Sequence, residues 1–209
     1  MTDARDPVPA GPRAATAAAP VTRSSTATDV ALVATFAAFI AVCSLTAVPV
    51  PGSTVPVTLQ VFAVMLAGVV LGARRGALAV LLYLVVGLAG LPVFAGGTGG
   101  LAILAKASFG YLAAFPLAAA LVGLLVSRAA ALAPAPRSWA VFAAATAATL
   151  LVVYPPGIAV MGWRLGMSPG EAFRLGMGFL PFDTVKNLLV ALVATALFRA
   201  FPDLARSRR

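Results

Sequence analysis

The sequence predicts an all-α integral membrane protein with six transmembrane helices and with both termini in the cytoplasm. Hydrophobic residues make up 61% of the 209 residues and charged residues only 10%, whereas about a quarter of a soluble domain is charged. The apolar residues are gathered into runs near the length that crosses a bilayer, about 20 residues. Most basic residues lie at the ends of these runs, which is typical of topology signals.

The chain is predicted to comprise three parts. Residues 1–27 form a disordered cytoplasmic tail, residues 28–201 a six-helix membrane domain, and residues 202–209 a basic cytoplasmic tail. The first 27 residues are rich in Ala, Pro, Thr and Arg and have no sustained apolar period. They lack the short apolar core that precedes a signal-peptide cleavage site, so nothing in them indicates secretion.

Six apolar runs are predicted to be the helices. The first stops at "VPVPGSTVP", and the second is short, which suggests a tilted or partly buried helix. The third is interrupted by Gly87 and Gly90. The fifth is expected to break or kink at Pro155, Pro156 and Gly157, and a loop, "RLGMSPGEAFRLGMGF", is expected to lead into the sixth. The predicted spans are residues 29–48, 57–72, 77–94, 109–127, 138–154 and 181–200.

The distribution of charge supports this topology and excludes several functions. Eleven of the 15 basic residues fall in segments that six spans assign to the cytoplasm. The net charge of +9 forms no dense patch, so nucleic acid is not an expected partner. The chain has one cysteine, Cys43, and no histidine, which argues against metal, hydrolase and redox chemistry. No cofactor is expected.

Two ionisable residues lie where the sixth run begins, in "PFDTVKN". Asp183 follows Pro181 in the expected first turn, where a carboxylate favours the helix dipole. Lys186 is placed to form a local i,i+3 ion pair, but a lysine near a helix N-terminus opposes the dipole, so a helix start explains Asp183 better than Lys186. Because ionisable residues in membrane segments are functional candidates, the pair is a candidate site for a small polar ligand.

Other candidates lie on the same predicted outer side, each with a structural alternative. Thr58 and Gln60 either cap the second span or face a ligand. The loop "LPVFAGGTGG" either closes over a ligand or is a flexible turn. It lacks the GK[ST] of a nucleotide-binding loop. Lys106 and Tyr111 either anchor the fourth span at the interface or contact a ligand. Glu171 is predicted at a helix N-terminus. The candidate residues of the loop are Phe94, Gly96, Gly97, Thr98, Gly99 and Gly100.

The first span contains small residues at four-residue spacing, among them Ala34 and Ala38. Such a stripe lets another helix approach closely. The neighbour is either a helix of the same chain or another subunit, and in an alanine-rich chain the spacing also arises by chance.

Three segments, "PVTLQVFAVMLAG", "LGARRGALAVLLYLVVGLAGLPVFAGGTGG" and "FLPFDTVKNLL", resemble the BioY family, the biotin-specific substrate-binding membrane subunits of energy-coupling-factor (ECF) transporters. The resemblance covers residues 28–200 in order. It implies a six-helix subunit of the plasma membrane that captures biotin from outside the cell and does not hydrolyse ATP. The implied partners are a transmembrane scaffold protein and two ATP-binding subunits.

The resemblance also implies roles for individual residues. Asp183 and Lys186 are expected to contact biotin, with Asp183 suited to the ureido N–H groups and Lys186 to either the ureido carbonyl or the carboxylate. Thr58, Gln60 and the loop 94–100 would form the lid and walls, and Ala34 and Ala38 match the position at which the scaffold docks. The segment "AKASFGYL", where many relatives read "GPTGGYL", departs from the family at Lys106.

Two alternatives remain from the residues. The ligand could be another small vitamin or a precursor. The chain could instead be a membrane-embedded transferase that uses Asp183 as a base, although it has no histidine and no second buried carboxylate to share acid and base duties.

Overall fold

The structure, a computed structural model, describes residues 26–49, 54–132 and 138–201. The predicted tails lie outside the described residues, apart from Thr26 and Ala27, which begin the first helix. Within the described ranges the chain is helical, with two isolated β-bridges and no strand. The helices are α1 (Thr26–Leu45), α2 (Gln60–Leu71), α3 (Ala73–Leu88), α4 (Phe109–Leu132), α5 (Ser138–Ala148), α6 (Tyr154–Leu165), α7 (Pro169–Met177) and α8 (Leu180–Ala200).

Four helical segments are long and apolar enough to cross a membrane, namely α1, α4, the continuous segment Ser138–Leu165 and α8. The helices α2 and α3 have 12 and 16 residues. At 1.5 Å per residue they reach about 18 and 24 Å, less than the roughly 30 Å of the hydrocarbon layer. The described part of the chain therefore contains four helical segments of membrane-spanning length and the two helices α2 and α3, which are shorter than a full span.

The helix α2 is the centre of the bundle. Ten of its 12 residues are buried, and it packs against α1, α3, α4 and α8. The approach of α4 is close enough that a Cβ atom on Gly68 would lie 2.3 Å from the carbonyl oxygen of Ala119. The shortness of the second apolar run, which predicts a partly buried helix, is thus explained by a position inside the bundle.

The fifth predicted span does not end at its prolines, which corrects the sequence-based boundary. The helix continues through a π-helical segment, Thr149–Val153, directly into α6 and ends at Leu165. Pro155 and Pro156 lie in the first turn of α6, where a missing N–H is tolerated. The wider π turn lets the chain pass the prolines without breaking the helix.

The segment predicted as a loop before the sixth span contains the helix α7, a second correction. The hydroxyl of Ser168 accepts a hydrogen bond from the backbone N–H of Glu171, and the Glu171 carboxylate accepts from the backbone N–H of Ser168 at 2.9 Å. This reciprocal capping box begins a helix locally and confirms the helix N-terminal position of Glu171. The hydrogen bonds from the Ser168 hydroxyl and backbone N–H also hold the pKa of Glu171 below its usual range.

The third helix also ends earlier than predicted, at Leu88 rather than at Phe94. Gly90 adopts φ +114°, a conformation that L side chains rarely take, and the chain leaves the helix axis there. The residues that follow fold back over the bundle, which brings Phe94 into the interior, where it is 1% exposed.

Candidate functional site

A buried ion pair lies at the start of α8. The Nζ atom of Lys186 is 2.8 Å from Oδ1 of Asp183, and the two residues are 7% and 4% exposed. The hydroxyl of Tyr154 donates a hydrogen bond to the other carboxylate oxygen, Oδ2, at 3.0 Å. Both oxygens of Asp183 therefore have a donor. The ion pair expected at i,i+3 spacing is present, and it faces a cavity rather than solvent.

Aromatic residues from three elements pack beside this ion pair. The ring of Tyr111, in α4, meets those of Tyr154 and Phe179 edge to face, with centroids 6.5 and 6.3 Å apart. Edge-to-face contacts are a favoured geometry for aromatic pairs. Gly157 allows the close approach, since a Cβ atom there would lie 2.3 Å from the Tyr111 ring. The α4 and α6 helices thus hold Tyr154 in position against Asp183.

A second group of buried residues contributes Gln60 and Phe94 to the lining of the cavity. The side-chain amide of Gln60, at the start of α2, donates to the hydroxyl of Tyr83 at 2.8 Å. The Tyr83 ring meets Phe94 edge to face at 5.5 Å. Phe94 packs directly on Gly87, where a Cβ atom would lie 2.2 Å from its ring. The hydroxyl of Ser44 donates to the carbonyl of Val93 and ties this loop to α1.

The glycine-rich loop forms a tight reversal rather than an open turn. The backbone N–H of Phe94 donates to the carbonyl of Thr98 at 2.9 Å, and the N–H of Gly100 donates to the carbonyl of Gly87 at 2.7 Å. Gly99 passes so close to α3's end that a Cβ atom would lie 2.2 Å from the Leu91 carbonyl oxygen. The loop is therefore anchored at both ends.

These walls enclose a cavity of about 690 Å³, within the range of about 300–1,000 Å³ that is typical of ligand pockets. Of the residues predicted from the sequence, eight line it, and Gly97, Thr98, Gly99 and Gly100 do not. Thr98 instead accepts a hydrogen bond from the ammonium of Lys106 at 3.1 Å. The predicted residues that line the cavity are Thr58, Gln60, Phe94, Gly96, Lys106, Tyr111, Asp183 and Lys186.

Two predicted residues, Ala34 and Ala38, do not line the cavity. Ala34 and Ala38 are exposed on α1, whereas Ala37, Ile40 and Cys43 of the same helix are buried. No helix within the described part of this chain therefore covers Ala34 and Ala38. The stripe is an exposed surface of small residues.

Sequence reasoning missed three polar residues of the site, namely Tyr83, Tyr154 and Arg164. Each of the two tyrosines is isolated in a long apolar run, where an unpaired hydroxyl is costly, and that signal could have marked them. Arg164 lines the cavity from the end of α6 and donates to the Leu104 carbonyl at 2.9 Å. Nothing in the local sequence distinguishes it from an interfacial anchor.

Comparison with known proteins gives consistent results. The model of the BioY family matches residues 15–203. A protein of Rhizobium etli named "Biotin transporter BioY" is 39% identical over 180 residues, which cover 83% of this chain and 95% of the relative. A protein of the same name from Rhodobacter capsulatus is 38% identical over 192 residues, covering 86% and 98%. These relatives are named as transporters, not as enzymes.

The fold has a counterpart among solved structures. A crystal structure of the S-component for biotin from an ECF-type ABC transporter superposes with a TM-score of 0.77 at 24% identity. The match covers 83% of this chain and 92% of the other. The helical arrangement is therefore shared over nearly the whole of that subunit.

Proposed function

Since the chain belongs to the BioY family, we propose that it is the biotin-binding S component of an ECF transporter, which captures biotin on the extracellular side. The observation that carries this proposal is the ion pair of Asp183 and Lys186, which is buried at the wall of the cavity. Biotin has an apolar ring system, two ureido N–H groups and one carboxylate. The cavity offers apolar walls and a few convergent polar groups, as small-molecule sites do.

Within this proposal, Asp183 accepts hydrogen bonds from the ureido N–H groups. A carboxylate offers about four lone-pair sites, so the donors already present, Tyr154 and Lys186, leave acceptor capacity for a ligand. Phe94 and Tyr111 supply the walls for the apolar ring, and Gln60 and Thr58 supply polar contacts near the loop. Charge-assisted hydrogen bonds of this kind are about twice as strong as neutral ones.

We further propose six membrane crossings in the plasma membrane, with both termini cytoplasmic. The two short helices α2 and α3 would complete the four long spans, and the excess of arginine in the segments between the spans favours this orientation. The site then lies at the outer ends of α6 and α8. The energising partners would be a transmembrane scaffold protein and two ATP-binding subunits, with the scaffold docking on Ala34 and Ala38.

Calorimetry of the detergent-solubilised protein tests the ligand. We expect one biotin per chain, with no binding of a panel of other water-soluble vitamins at the same concentrations. Tight binding of another vitamin in preference to biotin would leave the proposed architecture standing but contradict biotin as the ligand. Chemical conversion of any bound compound, followed by mass spectrometry, would favour a transferase instead.

A further inference from the structure

The charges around the cavity divide into a buried pair and an exposed pair. Asp183 and Lys186 are buried and neutralise each other. Lys106 and Arg164 also line the cavity, but both are exposed to solvent. Three cations and one carboxylate among the described lining residues leave an excess of two positive charges, and this excess lies at the exposed rim.

The two rim cations contact only uncharged acceptors among their hydrogen-bond partners. The Lys106 ammonium donates to the Thr98 hydroxyl at 3.1 Å, and the Arg164 guanidinium donates through Nη2 to the Leu104 carbonyl at 2.9 Å. The guanidinium also stacks 4.4 Å above the Trp163 ring. These contacts orient the side chains and leave their charges uncompensated.

The acidic residues within the described part of the chain are all engaged elsewhere. Asp29 pairs with Arg75 at 2.7 Å, Glu171 caps α7, and Asp183 belongs to the buried pair. A carboxylate for the rim cations must therefore come from outside the described residues, and a ligand that enters the cavity brings one to the right place.

The two rim cations belong to one continuous stretch of the rim. The hydrogen bond from Arg164 joins the end of α6 to the 3-10 turn Leu101–Ala105, and Lys106 follows that turn directly. The lining of the cavity thus has two chemically different parts. One is the buried, neutral pair of Asp183 and Lys186, whose carboxylate Tyr154 also contacts, and the other is exposed and cationic.

Resting on the proposed function, we infer that Arg164 and Lys106 bind the carboxylate of biotin, whose ureido ring lies at Asp183 and Tyr154. An anionic group placed beside Asp183 would meet a like charge, and it would compete for the one ammonium that compensates that buried carboxylate. At the rim it meets two cations that have no charged partner. A guanidinium also offers parallel N–H groups that match the two oxygens of a carboxylate.

The test compares biotin with its carboxamide, which keeps the ring and the side chain but carries no charge. Binding of both ligands is measured by calorimetry for the wild type, Arg164→Gln, Lys106→Gln and the double variant. We expect the wild type to bind biotin about 10- to 100-fold more tightly than the amide, the scale of hydrogen bonds to charged groups. In the double variant this ratio should fall to about one, while the affinity for the amide changes little.

The ratio of the two affinities separates recognition of the charge from damage to the fold, because both ligands share every other contact. Arg174→Gln is the matched control, since it removes an exposed arginine from α7 without altering the lining of the cavity, and it should leave the ratio unchanged. Raising the salt concentration should lower the wild-type ratio, because exposed charges are screened.

Three results would overturn the inference. An unchanged ratio in the double variant, with biotin still bound by the wild type, would remove the rim cations from recognition and leave the proposed function standing. A fall of the biotin-to-amide affinity ratio to about one in Lys186→Met alone would place the carboxylate of biotin at the buried pair instead. Failure of the wild type to bind biotin at all would overturn the proposed function together with this inference.

Discussion

Tyr154 donates a hydrogen bond to Asp183 across 3.0 Å, between the first residue of α6 and the first turn of α8. This contact fixes one carboxylate oxygen while Lys186 holds the other. We expect Tyr154→Phe to weaken biotin binding by about five- to tenfold, the scale of one net hydrogen bond, as measured by calorimetry.

A matched control for this substitution is Tyr111→Phe. Among the described residues the Tyr111 hydroxyl donates its hydrogen bond to the Met161 sulfur, at 4.0 Å, and a thioether sulfur is a weak acceptor. Its removal should therefore cost less affinity than the removal of the Tyr154 hydroxyl. Equal losses in the two variants would contradict a specific role for the bond to Asp183.

The ion pair of Asp183 and Lys186 makes a prediction about stability as well as binding. Removing one partner of a buried pair leaves the other uncompensated, which costs about 3–5 kcal/mol. Lys186→Met and Asp183→Asn should each destabilise the protein in thermal unfolding, and the double variant should recover part of the loss. All three should bind biotin poorly in calorimetry. Strictly additive destabilisation would argue against the pairing.

Gly87 is predicted to control the position of Phe94. A methyl group at Gly87 would overlap the Phe94 ring, at 2.2 Å from its nearest atom, and would push the ring off the end of α3 into the cavity. We expect Gly87→Ala to lose about 1–3 kcal/mol of stability, the usual cost of overpacking, and to reduce biotin affinity in the same calorimetric assay. Gly170→Ala, which meets no atom within 4 Å, should change neither quantity.

The exposed stripe of Ala34 and Ala38 leads to a prediction that separates binding from transport. Ala34→Leu and Ala38→Leu should leave biotin binding intact, because neither residue lines the cavity. Uptake of labelled biotin by cells that carry the complete transporter should fall by about tenfold or more, equivalent to about 1.4 kcal/mol of lost packing. Ala143→Leu, at an exposed position on α5, is the control. Loss of binding itself would contradict an outward role for the stripe.

The helical membrane fold was predictable because apolar runs and their charged ends are strong local signals. The boundaries of the helices were less predictable than their existence. Phe94 reads as part of an apolar run, but the chain leaves the helix axis at Gly90, and Phe94 folds back to pack on Gly87. The proline pair, Pro155 and Pro156, predicts a break, and the widened turn that avoids one depends on tertiary contacts that no local pattern records.

The residues of the candidate site likewise divide into those that the sequence identifies and those that depend on tertiary structure. Asp183 and Lys186 were identifiable because ionisable residues are costly in an apolar membrane segment and therefore indicate a function. Tyr154 could be marked only as a lone hydroxyl in an apolar run, because the direction of its side chain depends on how many residues the preceding turn holds. Gly97, Thr98, Gly99 and Gly100 belong to the predicted loop, but the lining of the cavity depends on which side of that loop faces inward.

The π-helical segment Thr149–Val153 shifts the phase of the membrane span that contains it. Seven residues make about two α-helical turns, so an uninterrupted helix that buries Ala148 would also bury Pro155. Pro155 is exposed instead, and Tyr154 and Gly157 are buried. A regular α-helix with the same residues would leave the length and hydrophobicity of the span almost unchanged, yet it would turn Tyr154 away from Asp183 and bury Pro155 in its place.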